Sequence, residues 1–216
     1  MTDKQAGVGQ AYDAVAELYA TMFTGELASR GDELALMGEL VAAPPVSVDG
    51  LPVGDLGCGP GEATALLGGL GIRAVGLDLS AGMLAQARRR HPGESFVRGS
   101  LLSLPFADAS LGAALARYSL IHLPPAEVPY VLAELRRVLA PGGRLLLGLF
   151  AADPTLGDTD HPVPFDHKVT TAHRWPLDTL AALLSEAGLT ETARSVRQPG
   201  PGERFPQAAL LAEVAS

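Results

Sequence analysis

The chain has a single cysteine, Cys58. No intrachain disulfide can form, which fits a reducing compartment such as the cytoplasm. A basic face is also missing: lysine is scarce, the formal net charge is −8 and the sequence pI is about 5.0. Proteins that dock on a phosphate backbone carry a cationic surface, so no nucleic acid partner is expected. The one basic run, Arg88-Arg89-Arg90, closes an expected helix, where cations complement the negative end of the helix dipole. No long apolar run is present. The most apolar stretch, around Ala65 to Leu79, is broken by glycines and by Arg73 and makes a poor membrane span. The start, Met1-Thr2-Asp3-Lys4-Gln5, is polar and shows no signal-peptide core. Internal repeats and low-complexity tracts are absent too. What remains is a globular composition, 47% apolar and 19% charged over 216 residues. That suits one α/β domain with a single core and a modest cap. A small molecule is the expected partner.

Residues 4–23 place Tyr12, Val15, Ala16, Leu18, Tyr19 and Met22 on one helical stripe. A second helix is expected over Glu33 to Val41, stopping before Pro44-Pro45. Residues 1–45 thus read as a helical lead-in. From 51 to 150 strands and helices alternate. Strands are expected at Val53 to Leu56, Ala74 to Leu79, Ser95 to Arg98, Leu111 to Ala116 and Arg144 to Phe150. Helices are expected at Glu62 to Leu70, Ala81 to Arg90 and from Pro124-Pro125 to Leu139, with Pro141-Gly142-Gly143 as a tight turn. This alternation implies a doubly wound, mostly parallel sheet covered on both faces. Residues 151–175 show no clear period and read as a long binding loop or lid. In 176–216, a helix over Leu177 to Ala187 precedes strands at Leu189 to Arg197 and Ala208 to Val214. Their hairpin-like link puts one antiparallel strand in the sheet.

The segment Val53-Gly54-Asp55-Leu56-Gly57-Cys58-Gly59-Pro60-Gly61 carries the most information. Glycines between a strand and a helix permit positive φ and let backbone approach a ligand. Dinucleotide-binding folds use a similar turn, but Asp55 puts a carboxylate just before it. That charge repels a pyrophosphate and suits a cationic ligand. Asp78 ends the next strand and can accept hydrogen bonds from both hydroxyls of a ribose.

These residues, with Gly76-Leu77-Asp78-Leu79-Ser80, Leu104-Pro105-Phe106, Ser119-Leu120-Ile121-His122 and Glu134-Leu135-Arg136-Arg137-Val138-Leu139-Ala140-Pro141-Gly142-Gly143, resemble the class I S-adenosylmethionine-dependent methyltransferases. The resemblance covers residues 53 to about 150, and Glu186-Ala187-Gly188-Leu189 fits the family's last helix-to-strand step. It implies a Rossmann-like seven-stranded sheet with the last strand antiparallel. It implies S-adenosylmethionine as methyl donor and S-adenosylhomocysteine as product. Gly57 and Gly59 would face the methionine part, near Asp55, with Gly61 completing the turn and Cys58 a small filler. Asp78 would hold the ribose. Leu79 and Met83 would pack on the adenine, Ser100 and Leu101 would lie at its edge, and Arg117 and Tyr118 beneath the sulfonium. Two positions depart from the family. Ser100 stands where many relatives carry Asp, and Leu111-Gly112 where they often show Phe-Asp.

Methyl transfer from a sulfonium is an in-line displacement, so the protein mainly aligns and desolvates. A base is needed only where the acceptor must lose a proton. His122, just past the fourth strand, is the candidate base; the other reading is a histidine that caps the loop. Tyr12 touches cofactor or acceptor, or else anchors its helix together with Tyr19. His161, Asp166, His167, Lys168, His173 and Arg174 crowd the 151–175 loop. They make either a lid for an anionic acceptor or a solvated loop. Their spacing matches no standard metal site, so no metal is expected. Tyr19, His161, His167 and His173 are the substrate candidates, and Trp175 is expected to pack under the following helix. The expected function is methylation of oxygen or nitrogen on a small organic acceptor, such as a specialised metabolite. The rivals are a non-catalytic methyltransferase-like module acting through a partner, toward which Ser100 and Gly112 lean, and a nicotinamide-dependent oxidoreductase, against which Asp55 argues.

Overall fold

The computed structural model describes residues 3–22, 24, 25, 27, 31–42, 49–157 and 160–215. The polar start Met1-Thr2 and the Pro44-Pro45 boundary lie outside them. Helices α1 (Asp3–Met22) and α2 (Gly31–Val41) precede β1 (Val53–Leu56), α3 (Glu62–Gly69), β2 (Ala74–Asp78), α4 (Ala81–Arg90), β3 (Ser95–Arg98), β4 (Leu111–Arg117), α5 (Val128–Val138) and β5 (Leu139–Ala151). Then come β6 (Val163–Asp166), β7 (Thr171–Trp175), α6 (Leu177–Glu186), β8 (Leu189–Arg197) and β9 (Gln207–Val214).

β1 is buried along its whole length and β4 along most of it, as expected of strands covered on both faces. The strands run β3-β2-β1-β4-β5-β9-β8, all parallel except β9, which pairs antiparallel with both β5 and β8. That is the expected doubly wound α/β sheet, but among the described residues it has nine strands, not seven. Residues 151–175 are no aperiodic loop: β6 and β7 form an antiparallel hairpin, and β7 pairs with the end of β5. Ala151 N–H donates to Pro206 O and Ala152 N–H to Trp175 O, each at 2.9 Å. Successive backbone groups of a strand point to opposite neighbours. The hairpin therefore takes up the β4 side of β5 beyond the end of β4, over the mouth of the sheet. Pro164 is tolerated because β6 is an edge strand.

β5 also starts earlier than the sequence suggests. Pro141-Gly142-Gly143 is an irregularity inside the strand: the register against β4 slips between Leu111 and Ala113, and Gly142 has φ 73°. α5 buries Val128, Val131, Leu132, Leu135 and Val138 against the sheet as its period requires, each such side chain contributing about 1.5–3 kcal/mol over exposure. α6 shares this face, with Leu180, Leu184 and the buried Trp175. On the opposite face α2 and α3 bury Leu36, Leu40, Ala63 and Leu67. The arginines at the end of α4 serve locally; Arg88, for example, donates to Phe96 O.

α1 docks on the start of α4 through Asp13, whose Oδ1 accepts from Ser80 Oγ at 2.5 Å and Gly82 N–H at 2.8 Å. A carboxylate at the positive end of α4 is favoured. Gly82 lets the helices touch, since a Cβ there would stand 3.1 Å from Asp13 Cα.

Candidate active site

The turn after β1 folds onto β2 because Gly57 and Cys58 N–H both donate to Leu77 O, at 2.7 and 2.9 Å. Gly57, Gly59 and Gly61 have φ of 87°, 53° and 87°, a region that L side chains avoid. The three differ in what they face. A Cβ on Gly57 would stand 2.3 Å from Ser119 Cβ, and one on Gly61 2.8 Å from Phe96, whereas nothing lies within 4 Å of one on Gly59. Two of the glycines serve packing. Only Gly59 turns its bare side to open space. Cys58 is buried, and burial pushes its thiol far up, away from reactivity.

Asp78 ties this turn to the end of β2. Its carboxylate accepts from Gly59 N–H and Ser80 N–H, both at 2.8 Å. Burial raises its pKa, against the pull of these donors. Asp55 is fully buried and accepts from Thr64 Oγ1 at 2.6 Å. Burial pushes its carboxyl up to about 6, although Thr64 and the Arg117 charge pull it down. Two poorly solvated acids therefore flank the turn, an arrangement suited to a polar cation.

Two adjoining cavities open at the carboxyl ends of the strands. The first holds about 890 Å3 of empty space, open mouth included. Asp78, Leu79, Met83, Ser100 and Leu101 line it. The second is lined by Asp55, Cys58, Ile121, Phe150, His167 and Lys168, among others. Tyr12, Tyr19, Gly57, Gly59, Arg117 and Tyr118 line both and so mark their junction. Gly61 lies behind the turn and lines neither.

Ser100 Oγ accepts from Leu102 N–H at 3.1 Å, so the residue in place of an acid braces its own loop. Gly112 sits at the irregularity opposite β5 and donates to Pro52 O at 3.0 Å.

His122 is buried beside the junction and lines the first cavity. Its Nδ1 lies 3.1 Å from Thr171 O and its Nε2 2.7 Å from Tyr12 Oη. A carbonyl only accepts, so Nδ1 carries the proton, and Nε2 accepts from the Tyr12 hydroxyl. Burial pushes the His122 pKa down to about 4, and burial pushes the Tyr12 phenol far up. Tyr12 and Tyr19 meet edge to face, ring centroids 5.8 Å apart. The hairpin thus does bring loop residues to the site: His167 packs 5.2 Å from the His122 ring and lines the second cavity. His161 and His173 do not arrive there. His161 is exposed, and His173 is buried against Ile121 O at 3.2 Å, where it braces the hairpin. Neither lines either cavity. Among the described residues no three His, Cys, Asp or Glu side chains are grouped to hold a metal ion.

Two partners were not legible in the sequence. Arg117 donates from Nε and Nη2 to the buried Glu33 carboxylate of α2, the second bond being 3.1 Å. Burial works against the Arg117 charge, but Glu33 more than offsets it and the pKa is raised. Tyr118 holds φ 52° and donates to Gln207 Oε1 at 2.6 Å, closing the second cavity.

The sequence model of a family described as "Methyltransferase domain" matches residues 54–147. The chain is 34% identical over 155 residues to a demethylmenaquinone methyltransferase of Beutenbergia cavernae, across 62% of this chain and 63% of that protein. It is 33% identical to methyltransferase GfsG of Streptomyces halstedii, across 90% of this chain and 78% of the relative. Among solved structures, the 1,6-didemethyltoxoflavin-N1-methyltransferase of Burkholderia thailandensis, with bound 1,6-didemethyltoxoflavin and S-adenosylhomocysteine, shares the fold. Its TM-score is 0.76 at 21% identity, over 98% of this chain and 88% of the other.

Proposed function

Since the chain belongs to the class I S-adenosylmethionine-dependent methyltransferases, we propose that it methylates an oxygen or nitrogen of a small organic acceptor, a specialised metabolite, in the cytoplasm. The observation that carries the reading is the pair of cavities joined at Gly57, Gly59 and Arg117. One lobe has the acid and apolar walls an adenosine needs. The other offers an aromatic and histidine-lined space for an acceptor. A relative named for demethylmenaquinone and a structural neighbour named for 1,6-didemethyltoxoflavin support a small-molecule acceptor. No helix among the described residues is long and apolar enough to cross a membrane.

The residues fit the cofactor. Asp78 would hold the ribose, Leu79 and Met83 the adenine, and Asp55 and Gly59 the methionine part. When bound, S-adenosylmethionine supplies a methyl group already activated as a sulfonium. The S–C bond breaks as the O–C or N–C bond forms, and the sulfur keeps the electron pair. The protein's task is alignment and exclusion of water, for which α1 with Tyr12 and Tyr19 and the β6–β7 hairpin are the walls. An acceptor that must lose a proton would give it to His122 Nε2, freed when Tyr12 shifts its hydrogen bond to the acceptor.

His122→Gln is expected to lower turnover by about 10²–10⁴ with an acceptor of this kind. Affinity for S-adenosylhomocysteine should stay within about threefold. At saturating donor the wild-type turnover should hold as pH falls to about 4, because the imidazole stays neutral down to there. Initial rates of labelled methyl transfer to a phenolic acceptor check both. Unchanged turnover would leave His122 as packing.

Asp55 gives a second pH signature. Its folded pKa lies above the unfolded one, so stability it contributes is complete below the ordinary Asp range and is lost as pH rises through about 6. A cationic ligand favours the ionised form. Affinity for S-adenosylmethionine should therefore rise between about pH 5 and 7 while the ligand-free protein loses stability. Titration calorimetry and thermal melts across that range check the opposed slopes, and Asp55→Asn should flatten both.

A further inference from the structure

Resting on that reading, we propose that Glu33 is a positioning residue. It sets and neutralises Arg117, so that the cavity junction keeps the negative charge that favours the cationic donor over its neutral product. Arg117 leaves the end of β4 as one of the six residues shared by both cavities, beside Gly57 and Gly59. A lone guanidinium there would oppose a sulfonium and cancel Asp55, whose carboxylate it already feels. Glu33 prevents this. It comes from α2, is 5% exposed, and takes Arg117 through both carboxylate oxygens, the bidentate geometry that fixes an arginine most firmly.

The slot for it is built into the sheet. Gly148 of β5 faces Arg117 in register, and a Cβ there would stand 3.3 Å from Glu33 Oε1. A side chain of ordinary size at 148 would push the carboxylate out. Burying an ion pair is costly and rarely stabilises a fold over an apolar replacement. A buried pair at the ligand junction is better explained by the field it sets. With Arg117 cancelled, Asp55 and Asp78 are left to act on the ligand.

S-adenosylmethionine and S-adenosylhomocysteine differ by one methyl and one positive charge, so their affinity ratio reads the local field directly. One unit charge roughly 12 Å away, at an effective dielectric of about 20, changes affinity on the order of tenfold, and a closer one changes it more. Titration calorimetry of both ligands on wild type, Glu33→Gln, Arg117→Gln and the double variant gives the test, with circular dichroism to confirm folding. Glu33→Gln should weaken the donor about tenfold relative to the product. Arg117→Gln, which leaves the acid unbalanced, should shift the ratio the other way, and the double variant should return it to within about twofold of wild type. If Glu33→Gln does not fold, the Arg117→Gln and double variants still decide the sign. Equal weakening of both ligands, or a ratio that stays fixed, would overturn the proposal and leave the pair a structural brace. Failure of folded wild type to bind either ligand would instead overturn the cofactor site itself.

Discussion

Asp78→Ala should cost about a hundredfold in affinity for S-adenosylhomocysteine. The carboxylate accepts from Gly59 and Ser80 N–H and lines the first cavity. Each charged hydrogen bond is worth roughly 1.5–3 kcal/mol, so losing the ribose contact and the anchor of Gly59 together reaches this size. Asp78→Asn should be intermediate. Its amide keeps one acceptor but turns an N–H₂ toward a backbone N–H, leaving two donors face to face. Calorimetry on folded variants checks the order. An alanine variant that binds within about threefold of wild type would remove Asp78 from the site.

Gly57→Ala should damage the fold, and Gly59→Ala the binding. Both need positive φ, which costs an L residue roughly 1–2 kcal/mol. At Gly57 the new methyl would also meet Ser119 Cβ at 2.3 Å, while at Gly59 it meets nothing. Overpacking of that kind adds about 1–3 kcal/mol. Gly57→Ala should lower the melting midpoint by about 5–15 °C, since 1 kcal/mol is worth about 2–4 °C in a domain of this size. Gly59→Ala should lower it by only a few degrees, yet weaken S-adenosylhomocysteine at least about tenfold by narrowing the space the ligand must enter. Equal melting shifts for the two would contradict the division of labour in the turn.

The order of elements was legible because their periods are strong. The α5 stripe and the short apolar strands β1 and β4 each have one fitting state. The glycine turn and Asp78 were legible because they lie close together in the chain. The β6–β7 hairpin was not, since strands of four and five residues, one carrying Pro164, are too short to announce a period and are held by β5. His173 looked like a ligand-facing residue for the same reason: a histidine's direction depends on a register that short strands do not announce, while His161 precedes β6 and is exposed. Glu33 was invisible on other grounds. An acid in the first turn of a helix ordinarily complements the helix dipole in water, and only the packing of α2 on β5 turns it inward to Arg117. Tyr12 and His122 are likewise 110 residues apart and meet where α1, tied to α4 by Asp13, lies over the site.

The most direct test of the cofactor site is calorimetric titration of the wild-type chain with S-adenosylhomocysteine, and separately with NAD. Micromolar binding of S-adenosylhomocysteine with none of NAD is the expected result. A folded protein that ignores S-adenosylhomocysteine, or that prefers NAD, would contradict the assignment of Asp55, Gly59 and Asp78 to a methyl donor.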